Sequence, residues 1–133
     1  MAVFEGGCLC GKVRYRAESM PSDQVSCHCR LCQRSAGAPY LAWLTFSVAC
    51  FSYTAAEPRV YASSPVAQRE FCADCGTQLV FRHTACPTEL DVTTVSLDEP
   101  NFPELAPREH IWTDSKITWV ELGDLPCHRQ RRT

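Results

Sequence analysis

The distribution of apolar and polar residues along the chain is that of a β protein. Residues 12–17 read KVRYRA, in which Val, Tyr and Ala alternate with Lys and Arg, and this period of two predicts a half-buried strand. Residues 39–46, PYLAWLTF, form a continuous apolar run, which predicts a strand buried on both faces. Residues 68–72, QREFC, and 77–81, TQLVF, flank a CADCG turn and predict two further strands.

The second half of the chain continues this pattern. Residues 89–97, ELDVTTVSL, are rich in β-branched side chains, and Leu90 shares one face with every second residue after it. Residues 110–122, HIWTDSKITWVEL, predict two short strands around a TDSK turn. Only residues 31–38, LCQRSAGA, predict a helical turn. The fold class is therefore predicted to be mainly β with little helix.

Length and charge limit the number of domains and the classes of partner. A chain of 133 residues supplies one core, so we expect one domain over residues 1–126 and a basic tail over 127–133 that is frayed and solvated. The net charge of -2 gives no general attraction to nucleic acid or anionic membranes. No stretch approaches the roughly 20 apolar residues of a membrane helix, and the N-terminal residues lack the pattern of a secretory signal. A cytoplasmic location is expected, with neither membrane nor nucleic acid as partner.

Cysteine is the residue type that points to chemistry. The chain has 10 cysteines, and clustered cysteines in a reducing cytosol bind metal more often than they form disulfides. Two cysteines with one residue between them lie on the same face of an extended chain, where both sulfurs can bind one ion. The clusters are the N-terminal pair, Cys8 and Cys10, the trio, Cys27, Cys29 and Cys32, and the CADCG pair, Cys72 and Cys75.

Seven thiolates divide into a group of four and a group of three. Four close a tetrahedral structural zinc site, whereas three leave one coordination position open, as catalytic zinc sites do. One grouping joins the last two cysteines of the trio with the CADCG pair, as in a zinc ribbon. The other joins the N-terminal pair with the CADCG pair and leaves the trio separate. Glycine placement favours the second, because Gly11 and Gly76 each follow a pair and can take the positive φ that aims backbone N–H groups at sulfur.

Other residues near the clusters give weaker signals. His28 lies between two cysteines, and in an extended chain its ring points away from them, so packing is favoured over metal binding. The guanidinium group of Arg34 can bind a substrate carboxylate through two parallel hydrogen bonds, but a solvated arginine is the simpler interpretation. Arg69 and Glu70 are expected to pair with neighbouring charges. His110 and Trp112 are expected in the core, Cys50 as a small core residue, and Cys86 and Cys127 in turns.

Several motifs occur together in the order and spacing of one family. They are GGCLCGKVRY, CHCRLCQRSAGAP, SSP with REFCADCGTQL, TVSLDEP, and HIWTDSKITWVEL followed by LP. With these motifs the chain resembles the glutathione-dependent formaldehyde-activating enzyme family, which also includes centromere-protein-V-like proteins. The resemblance implies one zinc-binding β-tent domain of antiparallel sheets. It also implies two Zn²⁺ ions, a structural one bound by Cys8, Cys10, Cys72 and Cys75 and a catalytic one bound by Cys27, Cys29 and Cys32.

The resemblance further implies a carbon–sulfur lyase similar to S-(hydroxymethyl)glutathione synthase, which joins glutathione to formaldehyde. An open zinc site suits this chemistry, because the thiolate is the nucleophile and zinc lowers the pKa of a bound thiol. Three thiolates already donate charge to the metal, so we favour binding and orientation of thiol or carbonyl over strong electrophilic activation. Water or substrate would then be the fourth ligand. No catalytic residue is assigned beyond the open zinc site.

Two alternatives remain open. The same scaffold can act on a different small electrophile or thiol, because a fold does not fix a substrate. A non-enzymatic zinc-binding module is the other alternative, although the chain shows no long basic extension that would bind nucleic acid. The four-cysteine site also suits iron, since both metals take tetrahedral sulfur. The expected partners are a glutathione-like thiol and a small carbonyl compound, with a homodimer as one option for assembly.

Overall fold

The computed structural model describes residues 2–131, which form ten β-strands in two sheets with one α-helix and four short 3-10 helices. The strands are β1 (Phe4–Gly7), β2 (Arg14–Ala17), β3 (Asp23–Cys27), β4 (Leu41–Ser47), β5 (Phe51–Tyr53), β6 (Arg59–Ser64), β7 (Ala67–Phe71), β8 (Gln78–His83), β9 (Glu89–Thr93) and β10 (Glu109–Ile111), and the helix is α1 (Arg30–Ala36). The mainly β prediction is confirmed. Over residues 2–131 no helix combines the length and apolar character needed to cross a membrane.

One large sheet and one small sheet make up the fold. The large sheet has seven strands in the order β10-β3-β4-β9-β8-β7-β6, and the small one has the order β1-β2-β5. Neighbouring strands are antiparallel except for β10 and β3, which pair in parallel. This pair departs from the expected antiparallel sheets. Residues 94–108, which include the proline-rich connection, give the chain enough length to cross to the far edge and enter β10 in that direction.

Strand register divides the large sheet into a core face and an open face. Leu44, Val92 and Val80 are cross-strand neighbours, and all three are completely buried against the small sheet. The next residue along each strand points to the other face of the sheet, because side chains alternate along a strand. Thr45 pairs with Asp91, and Asp91 with Phe81, on this second face. The second face carries polar groups and borders a cavity.

β4 therefore has two different faces, although its apolar sequence predicts burial on both. Leu44 and Phe46 are fully buried in the main core. Trp43 is also buried, but in a second, smaller cluster with Val25. Thr45 is only half-buried and lines the cavity. The apolar run of β4 reflects two separate environments.

The prediction of two strands in residues 110–122 is half correct. β10 forms, but Trp112 has a left-handed backbone with φ 58°, and a 3-10 helix over Thr113–Ser115 follows it. No strand follows among the described residues up to 122. The N–H of Trp112 instead donates to the carbonyl of Gln130 at 3.2 Å. The expected strand is absent because a later segment takes the hydrogen bonds beside β10.

That segment is the basic tail. The N–H of His128 donates to the carbonyl of His110 at 2.9 Å, and the N–H of His110 donates to the carbonyl of Pro126 at 2.9 Å, so Cys127 forms a parallel bridge with His110. Arg129 forms an ion pair with Asp114 at 2.8 Å. The expectation of a frayed end is wrong for residues 127–131, which are mostly exposed but hydrogen-bonded, because β10 is an edge strand with free backbone groups. Residues 132 and 133 lie outside the described part.

Candidate metal centres and the cavity beside them

Four cysteines from two distant loops converge at one end of the fold. The N-terminal pair lies between β1 and β2, and the CADCG pair lies between β7 and β8. All four sulfurs lie within 4.8 Å of one another, with Cys8 and Cys10 Sγ 3.6 Å apart and Cys10 and Cys72 Sγ 3.7 Å apart. A tetrahedron with zinc–sulfur bonds of ~2.3 Å has edges of about 3.8 Å. The donor set and its spacing fit one tetrahedral metal ion, and all ten cysteines are free of disulfides.

Two glycine turns shape this group. Gly11 and Gly76 have φ values of 82° and 81°, the left-handed conformation predicted for them. The N–H of Val13 donates to Cys8 Sγ at 3.3 Å, so the turn after the N-terminal pair directs a backbone donor at sulfur. Such donors offset the charge of a thiolate before any metal binds. Both loops are built to hold anionic sulfur.

Thr77 joins the two loops, and nothing in the sequence pattern identified it. Its hydroxyl oxygen accepts the N–H of Leu9 at 3.0 Å and lies 3.4 Å from Cys75 Sγ. The hydroxyl and the backbone N–H of Thr77 lower the pKa of Cys75 to about 5. The only available signal was its position directly after the glycine of the CADCG turn.

The trio forms a second, separate group. Cys27 ends β3, Cys29 is the N-cap of α1, and Cys32 lies in the first turn of that helix. Their sulfurs lie within 4.8 Å of one another, and the N–H of Cys32 donates to Cys29 Sγ at 3.3 Å. Hydrogen bonds from the Cys27 and Cys32 thiols hold the pKa of Cys29 far below its usual range. The geometry does not support the zinc-ribbon grouping, because the sulfurs of the trio and of the CADCG pair fall in different groups.

A cavity of about 600 Å³ opens beside the trio, on the second face of the large sheet. All three cysteines of the trio line it, whereas none of the other four does. Its volume lies within the range of small-molecule sites, roughly 300–1,000 Å³. Its walls include Trp43 and Phe81 with charged groups between them, notably Arg69 and Asp91. The group of three can therefore meet a ligand, and the group of four cannot meet one from this cavity.

Arg69 and Glu70, neighbours in β7, face opposite sides of the sheet. Glu70 pairs with Arg82 at 2.6 Å on the core side, as expected for a strand charge. Arg69 does not pair with a carboxylate among residues 2–131; its Nη2 donates to Cys32 Sγ at 3.8 Å and its Nη1 to Ser35 Oγ at 3.2 Å. The guanidinium also lies over the Phe81 ring, 5.0 Å from its centroid. Sequence reasoning missed this role, and only the register with Phe81 reveals it.

Asp91 is a half-buried acid that lines the cavity. Thr45 Oγ1 donates to Asp91 Oδ1 at 2.6 Å. Burial raises the pKa of Asp91 to about 6; the Thr45 hydrogen bond and Arg131 oppose this shift and Glu89 adds to it. The cavity thus has a cation beside the trio and an ionisable acid two strands away, since Asp91 and Arg69 are separated by Phe81 in the cross-strand row.

Asp91→Asn is expected to stabilise the fold at pH 7.5 by up to about 3 kcal/mol, since its pKa lies about two units above the ordinary value and one unit corresponds to about 1.4 kcal/mol. The folded-state pKa lies above the unfolded value of 3.8, so stability falls as pH rises between those values and the ionised carboxylate opposes folding above pH 6. Asparagine keeps an oxygen for the Thr45 hydroxyl. Urea unfolding of zinc-loaded protein should show a smaller difference between variant and parent at pH 5.5.

Asp98→Asn is the matched control. Asp98 is exposed, and Arg14 lowers its pKa, so this substitution should destabilise slightly instead of stabilising. An Asp91→Asn advantage that is equal at pH 5.5 and 7.5 would show that packing, and not ionisation, is its cause.

Two histidines near the trio pack against each other and do not face the cavity. His28 is completely buried, and its Nε2 lies 2.9 Å from His110 Nδ1. His110 Nε2 lies 3.0 Å from the carbonyl of Leu122, which can only accept, so His110 donates there and accepts from His28. Burial lowers the pKa of His28 to about 4, so its ring is neutral. Both residues have the packing role expected of them.

The remaining candidates have mixed outcomes. Arg34 is exposed and does not line the cavity. Trp112 lines the cavity, contrary to the expectation of a core position, because its left-handed backbone redirects the chain after β10. Cys50 is only half-buried, at the end of a 3-10 helix. Cys86 lies in a turn, as expected, and also lines the cavity, whereas Cys127 is bridged to β10 and is not in a turn.

A family model and one curated relative identify the family of this chain. The glutathione-dependent formaldehyde-activating enzyme family matches residues 3–115. An uncharacterized lyase of Schizosaccharomyces pombe is 33% identical over 84 residues, which cover 63% of this chain and 61% of that protein's length. A Halomonas elongata protein that carries the family's name is 30% identical over 129 residues, covering 90% of this chain and 81% of that protein. A crystal structure of a Rhodobacter sphaeroides protein shares the fold, with TM-score 0.61 and 20% identity over 92% of this chain and 98% of that one.

Proposed function

The chain belongs to the glutathione-dependent formaldehyde-activating enzyme family, and we propose that it is a zinc-dependent carbon–sulfur lyase. Its reaction would join a thiol such as glutathione to formaldehyde or a related small carbonyl compound. The observation that carries this proposal is the group of three cysteines, which lines a cavity while the group of four does not. A site with three protein ligands and an adjoining cavity leaves room for a substrate at the metal.

Zinc fits both groups. Sulfur-only donors favour zinc or iron. We assign zinc to the trio because the proposed reaction involves no change of oxidation state, so a redox-active metal is not needed. We assign Cys8, Cys10, Cys72 and Cys75 to a structural ion and Cys27, Cys29 and Cys32 to a catalytic one. When bound, zinc lowers the pKa of a coordinated thiol and polarises a carbonyl oxygen.

The reaction is an addition without net redox change. The thiol sulfur bonds to the carbonyl carbon, the C=O double bond becomes a C–O single bond, and the thiol proton ends on that oxygen. The chain's own residues bind and orient the two reactants in the cavity, with Trp43 and Phe81 as apolar walls. A tripeptide thiol is of a size that such a volume accommodates. Holding both reactants together removes much of the entropic barrier to addition.

A cytoplasmic location accords with this proposal. The cysteines are all free, and two groups place several sulfurs within 4.8 Å of one another. Thiols at such spacing stay reduced in the glutathione-buffered cytosol and are prone to oxidation outside it. Glutathione is also the abundant thiol of that compartment.

Staged removal of zinc tests the proposal. The three-ligand ion should leave first with a mild chelator, because it has one protein bond fewer than its neighbour. Exchange of ¹³C-formaldehyde with its glutathione adduct, followed by NMR, should then slow to the buffer rate and recover when zinc is restored. Circular dichroism should be unchanged after the first ion leaves.

Cys127→Ser is the control, because Cys127 is exposed and belongs to neither group. This variant should keep two zinc ions and full activity. If both ions left together with loss of the fold, the trio would be structural and the enzyme proposal would lose its support.

A further inference from the structure

Arg69 is a buried positive charge without a carboxylate partner. It is 5% exposed, and none of the ion pairs formed within residues 2–131 includes it. A guanidinium remains charged at any pH at which a protein folds. Burying such a charge is unfavourable unless an anion lies close to it. Its partner must be another kind of anion.

The contacts of Arg69 point to the trio. Nη2 of Arg69 donates to Cys32 Sγ at 3.8 Å. Ser35 Oγ accepts from Nη1 at 3.2 Å and itself donates to the carbonyl of Cys32 at 3.1 Å. The Phe81 ring supports the other side of the guanidinium. These three contacts orient the Arg69 guanidinium toward the Cys32 sulfur.

We propose that Arg69 is a positioning residue that acts on the trio's metal through the Cys32 sulfur and favours a thiolate as the fourth ligand. This inference rests on the proposed function, in which the trio binds zinc. Three thiolates and one divalent cation have a net charge of minus one, and the guanidinium brings the site to zero. The substrate thiolate, which is also an anion, then enters a site of zero net charge instead of a negatively charged one.

The hydrogen bond has a second consequence. A donor directed at a thiolate draws electron density away from sulfur, so Cys32 donates less charge to the metal. The metal is then more electrophilic than three unperturbed thiolates would make it. Arg69 thereby offsets the weak Lewis acidity expected of a sulfur-rich site.

Cobalt substitution gives a readout that does not depend on activity. Subtracting the spectrum of Cys29→Ser, which should keep only the four-cysteine cobalt, isolates the trio's sulfur-to-cobalt charge-transfer band. Arg69→Met should move this band to longer wavelength, because sulfur becomes more electron-rich, and Arg69→Lys should lie between the two. Arg34→Met, on the exposed side of α1, is the matched control and should leave the band in place.

Ligand binding provides the second readout. At pH 7, Arg69→Met should weaken glutathione binding to the zinc protein by about 10–100-fold, the range typical of residues that orient metal ligands. S-methylglutathione, which has the same carboxylates but no thiol, should bind both proteins equally. An equal loss for both ligands would mean that Arg69 binds a substrate carboxylate, which overturns the inference.

The remaining outcomes are distinct. If the Arg69 variants do not fold, Ser35→Ala removes the Nη1 contact together with the hydrogen bond to the Cys32 carbonyl, leaves Nη2 on sulfur, and should shift the band in the same direction by a smaller amount. An unmoved band in every variant overturns the inference and leaves the proposed function intact. Two cobalt ions with a shifted band but no glutathione binding by the parent would overturn the proposed function instead.

Discussion

Cys72→Ser is expected to unfold the protein or to lower its melting temperature by more than about 15 °C. Cys72 is 2% exposed, and its sulfur lies 3.7 Å from that of Cys10, which is 62 residues away along the chain. The proposed ion therefore ties the small sheet to the β7–β8 end of the large sheet. Structural zinc contributes an apparent ~10–16 kcal/mol, as much as the whole stability of a typical domain. Thermal unfolding and the zinc content of purified protein measure the effect.

The exposed Cys127 again supplies the control, since Cys127→Ser should melt with the parent. The zinc-ribbon grouping predicts a different order of effects. If Cys72→Ser melted like the parent while Cys29→Ser collapsed, the assignment of a structural ion to the four-cysteine group would be wrong.

Cys29→Ser is expected to remove activity, by at least about 100-fold, while the fold persists with about one zinc per chain. Cys29 is half-exposed, and its structural contact is the N-cap bond from the N–H of Cys32. Serine is among the best N-cap residues, so α1 keeps its first turn after the change. The variant thus removes one ligand and little else. Zinc analysis, circular dichroism and the adduct exchange rate are the three measurements.

Cys86→Ser is a suitable control, because Cys86 lines the same cavity and lies outside the trio. Activity close to that of the parent is expected. A Cys29→Ser protein that kept full activity would exclude the trio as the catalytic site, and one that lost both zinc ions would make the trio structural.

Local sequence patterns were sufficient to predict most of the strands and the helix. Alternation predicts β2 directly, since Tyr15 and Ala17 are buried in it and Val13 is buried just before it. The cysteine groups were partly predictable because Gly11 and Gly76 carry a backbone requirement that is visible in sequence. The grouping of the sulfurs depends on which loops meet, and residue spacing alone could not decide it.

Which side chains line the cavity depends on how strands that are distant in the sequence pair with each other. Arg69 reaches the trio because β7 pairs with β8 so that Arg69 faces Phe81, and a one-residue shift would place it in the core. Trp112 reaches the cavity because a left-handed residue follows β10. The tail forms hydrogen bonds because β10 is an edge strand, a fact fixed only when the order of all seven strands is known.

The parallel pairing of β3 with β10 sets an order in which the two metal groups can be completed during synthesis. All four ligands of the four-cysteine group lie within residues 8–75, so they leave the ribosome before β10 does. The trio lies within the first 32 residues, but its backbone support comes much later: the N–H of His28 donates to the carbonyl of Ile111 at 3.0 Å, and Gln33 Nε2 donates to that of Ser115 at 3.0 Å. Since N-terminal segments leave the ribosome first, the nascent chain can acquire its stabilising ion before the reactive thiols have a finished pocket around them.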